Sequence, residues 1–236
     1  NIVSGASRRR TEVFMKRNIV ALILAFFSIV SLLGIGSACA DKDKCENISQ
    51  IRYDIFSAET DEFLITAYAE NREIPLTPDG KAGERSNVII LKICTLNAIN
   101  GTYSASITIE GKEYSALLEQ RAENILKTEI PVETLPKESF TIKITGEKSA
   151  EATLKSILPE GVADYTVPLD TVKKELKTTI ASDAEGEFLV RVICENGEAY
   201  WYVGFVTEEK TYSFLLDASG KEIMARKTDD NTINRK

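Results

Sequence analysis

Short apolar stretches that alternate with polar residues dominate the chain between Ile48 and Thr145. Six segments fit this description, in the order ISQIRYDIF, EFLITAYAE, NVIILKICTL, TYSASITIEG, KEYSALLE and SFTIKIT. They are rich in Ile, Val, Thr, Phe and Tyr, and a period of two places one face of each strand toward a core. Turn sequences such as TPDGKAGERSN and EGKE separate them. The pattern predicts a mainly β protein that begins with an antiparallel, immunoglobulin-like β-sandwich.

The periodicity changes after a charged stretch that reads as a linker, with a short helix predicted at Ala150–Leu158. Asp170 is placed to cap a longer helix whose apolar residues recur at helical spacing: Leu169, Val172, Leu176 and Ile180. The strand-like segments EFLVRVICE, EAYWYVGFVT, TYSFLLD and KEIMARK follow, with Asn196-Gly197 as a strong hairpin sequence. This order predicts a small C-terminal α+β domain, in which the helix covers a three- to four-stranded antiparallel meander.

These patterns divide the chain into five parts. They are upstream residues and a signal peptide (1–40), the β-sandwich domain (46–147), a linker (148–166), the α+β domain (167–228) and a polar tail (229–236).

The first forty residues have the pattern of an export signal. From Met15, two basic residues precede the apolar run Ile19–Leu33, and Ala38-Cys39-Ala40 fits a small-x-small cleavage site. We therefore expect a secreted protein, or one attached to the outer face of a bacterial cell membrane, that meets the membrane only through this segment. In a second hypothesis, Cys39 in the sequence GSAC carries a lipid anchor.

Charge and composition exclude several functions. Residues 41–236 contain 24 basic and 35 acidic residues, a formal charge of −11, which argues against binding nucleic acid. The chain has no histidine, so Ser-His and Cys-His nucleophile pairs and histidine metal sites cannot form. We find no motif for a metal, a cofactor or a catalytic residue, and expect none of the three.

Two other groups of residues have ordinary structural interpretations. Cys94 and Cys194 lie in apolar strand patterns and are expected to be inert thiols, although a Cys45–Cys94 disulfide is an alternative. The acidic sequence SDAEGE, which includes Glu187, lacks the glycine placement of a calcium loop and predicts a solvated loop.

Aromatic residues concentrate in the predicted meander, at Tyr200, Trp201, Tyr202 and Tyr212. Neighbours on a strand point to opposite faces, so one set is expected to pack on the helix. The other set is a candidate surface for a protein partner.

The segment from Tyr200 to Lys227 resembles the C-terminal half of a PepSY-type module. The matching features are a Tyr-rich strand (Tyr200, Trp201, Tyr212) and the turn pattern Asp217, Gly220 and Lys221 before a last short strand. With the preceding helix, the resemblance covers residues 167–227. The layout is similar to that of exported Gram-positive proteins in which a β-sandwich precedes such a module. The resemblance implies binding of a protein partner, either a peptidase or another envelope protein, and no catalytic residues.

The sequence thus favours a non-enzymatic exported protein that binds a partner through its C-terminal module. Two alternatives remain: a carboxylate-dependent hydrolase with a site between the two domains, and a lipid-anchored envelope spacer.

Overall fold

Twelve strands and one helix form the part of the chain that the computed structural model describes, residues 47–96, 98–179 and 185–231. The first eight strands are β1 (Ile48–Glu59), β2 (Phe63–Glu73), β3 (Arg85–Thr95), β4 (Tyr103–Ile109), β5 (Lys112–Ala122), β6 (Ile125–Pro131), β7 (Ser139–Thr145) and β8 (Ala150–Ser156). Helix α1 (Thr166–Thr179) and strands β9 (Glu187–Glu195), β10 (Glu198–Val206), β11 (Lys210–Asp217) and β12 (Ile223–Asp230) follow. Within these ranges, no helix has the length and apolar character needed to cross a membrane.

Strands β1 to β8 form a closed antiparallel barrel in the order β1-β2-β3-β6-β5-β4-β7-β8. The ring closes where Phe56 and Ser57 of β1 pair with Ser156 and Lys155 of β8. One apolar cluster with residues from all eight strands fills the barrel, and its fully buried members include Phe56, Ile65, Leu91, Ile107, Leu126, Ile142 and Leu154. A barrel of eight strands has an interior narrow enough for side chains to fill, and here apolar side chains occupy it.

Strand β1 also belongs to a second part of the sheet. Its first residues, Ile48–Arg52, pair in parallel with β9, and β10, β11 and β12 extend the sheet from β9 as an antiparallel meander. A bulge between Arg52 and Asp54 bends β1 between the two roles. A second apolar cluster joins α1, through Leu169, Val172 and Leu176, to β1 and to the meander.

The prediction of an immunoglobulin-like sandwich followed by a separate α+β fold is therefore wrong. The first eight strands close into a barrel, and the helix-covered meander continues the same sheet through β1. The prediction missed two strands. One is β6, since no strand was predicted between KEYSALLE and SFTIKIT, and the other is β8, which lies in the segment interpreted as a linker with a short helix at Ala150–Leu158. Its sequence AEATLKS buries only one large side chain, Leu154, because small alanines occupy the other inward positions.

Helix α1 begins four residues before Asp170, so that residue is not its cap. The carboxylate of Asp164 accepts hydrogen bonds from the backbone N–H of Thr166 (3.0 Å) and from its hydroxyl group (2.7 Å). Pro168 occupies the first turn, where a missing backbone N–H costs nothing.

Candidate functional site

Two of the four aromatic residues predicted to contact a partner are interior. Trp201 lies on the face of β10 that packs against α1, and 2% of its surface is exposed. Tyr202 points to the opposite face and is 5% exposed, with its hydroxyl oxygen 3.2 Å from that of Ser213. Both side chains contribute to packing within the described fold.

The other two aromatic residues are half-buried and face opposite sides of the sheet. Tyr200 lies at the start of β10 and donates its hydroxyl hydrogen to Glu198, a bond that raises the pKa of Tyr200 to about 12. Tyr212 lies on the helix side of β11 and stacks on Phe205, with 6.4 Å between ring centroids. The structure therefore brings the four residues to one region but not to one surface, and their role in partner binding stays a prediction.

The turn between β11 and β12, with the sequence DASGKE, is built around a single carboxylate. Asp217 accepts hydrogen bonds from the Ser219 hydroxyl (2.6 Å) and from the backbone N–H groups of Lys221 (3.1 Å) and Glu222 (3.0 Å). Burial acts to raise the pKa of Asp217, but these hydrogen bonds outweigh it and lower the pKa. An aspartate at the start of such a turn replaces part of the backbone hydrogen bonding that a strand would supply.

The same turn is fastened to the first turns of α1. Gly220 has φ +68°, a conformation that glycine adopts without strain. A side chain there would also collide with Pro168, because an added Cβ would lie 2.6 Å from the proline Cδ. Thr171 donates its hydroxyl hydrogen to the Gly220 carbonyl oxygen at 2.8 Å. The Asp217, Gly220 and Lys221 pattern noted in the sequence thus fixes the position of the turn against the helix.

An open groove with a volume of about 480 Å³ lies between α1 and this turn. Its lining consists of Thr171, Lys174, Glu175, Lys221, Glu222, Ile223 and Arg226. The Arg226 guanidinium bridges the groove to the Glu175 carboxylate at 2.5 Å. Lys174 and Lys221 form no ion pair with any residue in the described ranges. Three basic and two acidic side chains give this groove a net positive charge, in contrast to the acidic chain as a whole.

A pair of buried carboxylates lies elsewhere, where β1, β2 and β9 meet. Glu187 has no exposed surface and Glu73 is 8% exposed. The Ser49 hydroxyl is hydrogen-bonded to Glu187 and also interacts with Glu73. Burial, followed by the negative charges of Glu73 and Asp79, raises the pKa of Glu187 to about 8, and burial raises that of Glu73 as well.

Residues 74–84, the loop from β2 to β3, cover this pair, and we name this loop the strap. The backbone N–H of Gly80 donates to Glu187 at 2.6 Å, and that of Gly83 donates to Glu73. The side-chain oxygen of Asn47 accepts a hydrogen bond from the Ala82 N–H at 3.1 Å, and the side-chain nitrogen of Asn47 donates one to the Gly186 carbonyl oxygen. The strap thus closes over both carboxylates.

The sequence interpretation missed the carboxylate pair. Glu187 was expected in a solvated loop because the acidic sequence SDAEGE lacks the glycine placement of a calcium loop, whereas it is fully buried at the start of β9. Glu185, two residues earlier, is exposed as expected, and Asp183 lies outside the described residues. The predicted strand EFLVRVICE begins at Glu187, but no local pattern indicates that this carboxylate is buried, because the strap that covers it lies about a hundred residues away in the chain.

A further buried polar cluster joins β1 to β2 and β9. Glu70 has no exposed surface and accepts hydrogen bonds from Gln50 (2.5 Å) and Arg52 (2.7 Å). Arg191 donates to the Gln50 oxygen at 2.6 Å, and burial together with the charge of Arg52 lowers the pKa of Arg191. Arg72 approaches the Glu70 carboxylate to 3.7 Å. A buried charge with this many partners stabilises one strand register over its alternatives.

The other residues singled out in the sequence are the cysteines, possible metal ligands and the signal peptide. Cys94 and Cys194 are free, half-buried thiols, and burial raises the pKa of Cys194. In the described ranges, no group of three or more acidic, cysteine or histidine side chains is arranged to hold a metal ion. The signal peptide, Cys39 and Cys45 lie outside the described residues.

The chain matches none of the protein-family models, curated proteins or solved structures with which it was compared. The resemblance to PepSY-type modules therefore stays a prediction, and the groove and the carboxylate pair are the two candidate functional sites in the described residues.

Proposed function

We propose that this chain is an exported, non-enzymatic protein of the bacterial cell envelope that binds a protein partner through its C-terminal strands and helix. The observation that carries the proposal is the groove between α1 and the β11–β12 turn. Hydrogen bonds of Asp217 and Thr171 fix one wall, and the Arg226–Glu175 ion pair spans to the other. A groove whose walls are already ordered binds a partner without the entropic cost of ordering a loop.

The lining of the groove indicates what the partner presents. Lys174 and Lys221 supply ammonium groups without an ion pair among the described residues, and Ile223 supplies an apolar contact. A partner segment that carries carboxylates beside an apolar side chain complements this combination. The partner class stays a peptidase or an envelope protein, in line with the resemblance to PepSY-type modules.

Partner capture with charge-reversed variants tests this proposal. The predicted mature chain, from Asp41, is immobilised and exposed to envelope and secreted proteins of the organism that makes it. We expect Lys174→Glu/Lys221→Glu to lose a retained protein, whereas Lys143→Glu/Lys155→Glu keeps it. The control pair makes the same charge change at exposed positions of the barrel. Equal retention by both variants would contradict the assignment of the groove.

Mass spectrometry of the natural protein tests its export. An amino terminus at Asp41 is the expected result for a cleaved signal peptide. A diacylglycerol-modified Cys39 would instead indicate the anchored form, and an intact residue 15–40 segment would contradict both.

The Glu73–Glu187 pair is the one observation that favours a second candidate, the carboxylate-dependent hydrolase. A carboxyl group with a raised pKa beside a second carboxylate is the arrangement that general acid catalysis requires. The strap covers the pair, so a substrate would reach it only after residues 74–84 move. Assays of the mature chain on glycoside and peptide substrates distinguish the hydrolase from the binding protein. Hydrolytic activity that Glu187→Gln abolishes would support the hydrolase.

A further inference from the structure

Strand β12 is an open edge of the sheet. It pairs with β11 on one side, and in the described ranges no strand pairs with its other side. The backbone N–H of Asn231 donates to Glu209 at 2.7 Å, in line with the register that pairs Lys210 with Asp230. Antiparallel ladders alternate residues that bond to a neighbour with residues that do not. The backbone groups of Arg226, Thr228 and Asp230 therefore point away from β11 and are available to another strand.

The charges along the edge of β12 are complementary to those of the same strand in a second, antiparallel copy. The sequence of residues 226–230 is RKTDD, with two basic residues before the central Thr228 and two acidic residues after it. When such a strand pairs antiparallel with a second copy about Thr228, every basic residue faces an acidic one. Charged residues on an edge normally discourage pairing with other strands. Here the same charges discourage most partners but match an identical strand.

We propose that two copies of this chain associate through β12, antiparallel and in the register that places Thr228 opposite Thr228 of the second copy. Arg226 then lies opposite Asp230 and Lys227 opposite Asp229. Each of the pairs at Arg226, Thr228 and Asp230 provides two backbone hydrogen bonds, because these are the residues whose N–H and C=O groups point outward. The interface is isologous, as is usual for two-fold homodimers.

The faces of the strand are consistent with this register. Arg226 and Thr228 pair with Phe214 and Tyr212 of β11 and lie on the side of the sheet that α1 covers. Lys227 lies on the opposite side, where its ammonium group already contacts Asp229 at 3.0 Å. Antiparallel partners share a face, so the second copy would extend this contact into an alternating cluster of four charges.

The association would leave the groove accessible. Pairing about a two-fold axis keeps both copies of α1 on the same side of the joined sheet, so two grooves would flank the seam. Dimerisation through β12 does not require the groove to bind a partner. Arg226 belongs both to the groove and to the edge of β12. The partner-capture experiment alters only Lys174 and Lys221, so partner binding and dimerisation are tested independently.

Sedimentation equilibrium of the mature chain with charge-reversed strands tests the proposal. We expect a dimer at low ionic strength that weakens as salt is added. Arg226→Asp/Lys227→Asp and Asp229→Lys/Asp230→Lys should each weaken dimerisation by about tenfold or more, since every facing pair becomes like-charged. An equimolar mixture of the two variants should restore association as a heterodimer, because their strands are complementary. The mixture also shows that both variants are folded.

Thr228→Pro supplies a variant without a charge change. Its backbone N–H faces outward, so proline should leave the pairing with β11 intact while it removes the central hydrogen bonds of the dimer. Lys143→Asp/Lys155→Asp should dimerise like the natural chain. A natural chain that stays monomeric at millimolar concentration and low salt would overturn the proposal. Dimers that persist unchanged in both charge-reversed variants would also overturn it.

Discussion

Thr171 donates its hydroxyl hydrogen to the carbonyl oxygen of Gly220 at 2.8 Å, and this bond joins helix α1 to the turn between β11 and β12. The two residues are 49 positions apart in the chain. The contact fixes the wall of the groove, so changes at this junction should affect both the stability of the fold and the proposed binding surface.

Gly220→Ala should destabilise the protein more than Gly197→Ala. Both glycines have a left-handed backbone, with φ of +68° and +78°. An alanine at either position costs about 1–2 kcal/mol for that backbone conformation. At Gly220 the added Cβ would also collide with Pro168, whereas nothing lies within 4 Å of the corresponding point at Gly197. Urea unfolding of the two variants measures the difference, and equal losses would show that the turn does not press on the helix.

Trp201→Ala should cost about 3–5 kcal/mol of unfolding free energy, the range for removing a buried aromatic side chain. Tyr200→Ala, one residue earlier on the other face, should cost less than about 1 kcal/mol. Unfolding in denaturant measures both. A small loss for Trp201→Ala would mean that its ring is not in the core, and would return it to the candidates for direct partner contact.

The stability of the protein should fall as the pH rises from about 4.5 to about 8. Folding raises the pKa of Glu187 from 4.5 to about 8, so the folded state holds a proton that the unfolded state releases. The stabilisation is complete below the unfolded-state pKa of 4.5 and is lost as the pH rises through the folded-state pKa of about 8. Glu73 adds a change in the same direction, because its pKa is also raised.

Glu187→Gln should remove much of this pH dependence, since glutamine resembles the protonated carboxyl group and carries no titratable proton. Melting temperatures between pH 5 and 9 measure the effect. Glu185→Gln is the matched control, because this glutamate is exposed two residues away. If the melting temperature of Glu187→Gln falls with pH as steeply as that of the natural chain, another group causes the pH dependence of stability.

Cysteines at positions 57 and 155 should form a disulfide if the barrel is closed. Ser57 and Lys155 are directly paired across β1 and β8. Paired residues in antiparallel strands have Cα atoms about 4.5–5.5 Å apart, within the range of a disulfide. In a chain whose native cysteines are replaced by alanine, we expect oxidation to cross-link Ser57→Cys/Lys155→Cys, but not Ser57→Cys/Thr153→Cys. Mass spectrometry after proteolysis detects the bond, and its absence in the first pair would argue against closure.

Local patterns determined several elements of this protein by themselves. The alternation of apolar and polar residues placed most of the strands, since burial of one strand face requires a period of two. The Asn196-Gly197 hairpin is confirmed: both residues have positive φ, and Glu195 pairs directly with Glu198. The helix was located correctly but its start was not, because Asp170 and Asp164 are both plausible caps and Pro168 fits the first turn of the longer helix.

Only the tertiary structure decided how these elements combine. Alternation tells which residues of a strand face a core, but not which strand is its neighbour, so the closure of β8 on β1 and the parallel pairing of β9 with β1 could not be predicted. The same limit applies to the carboxylate pair. Glu187 is polar in sequence and buried in space because a strap from residues 74–84 reaches it and supplies the Gly80 N–H. Such burial depends on contacts between distant segments, and these arise only when the whole sheet has formed.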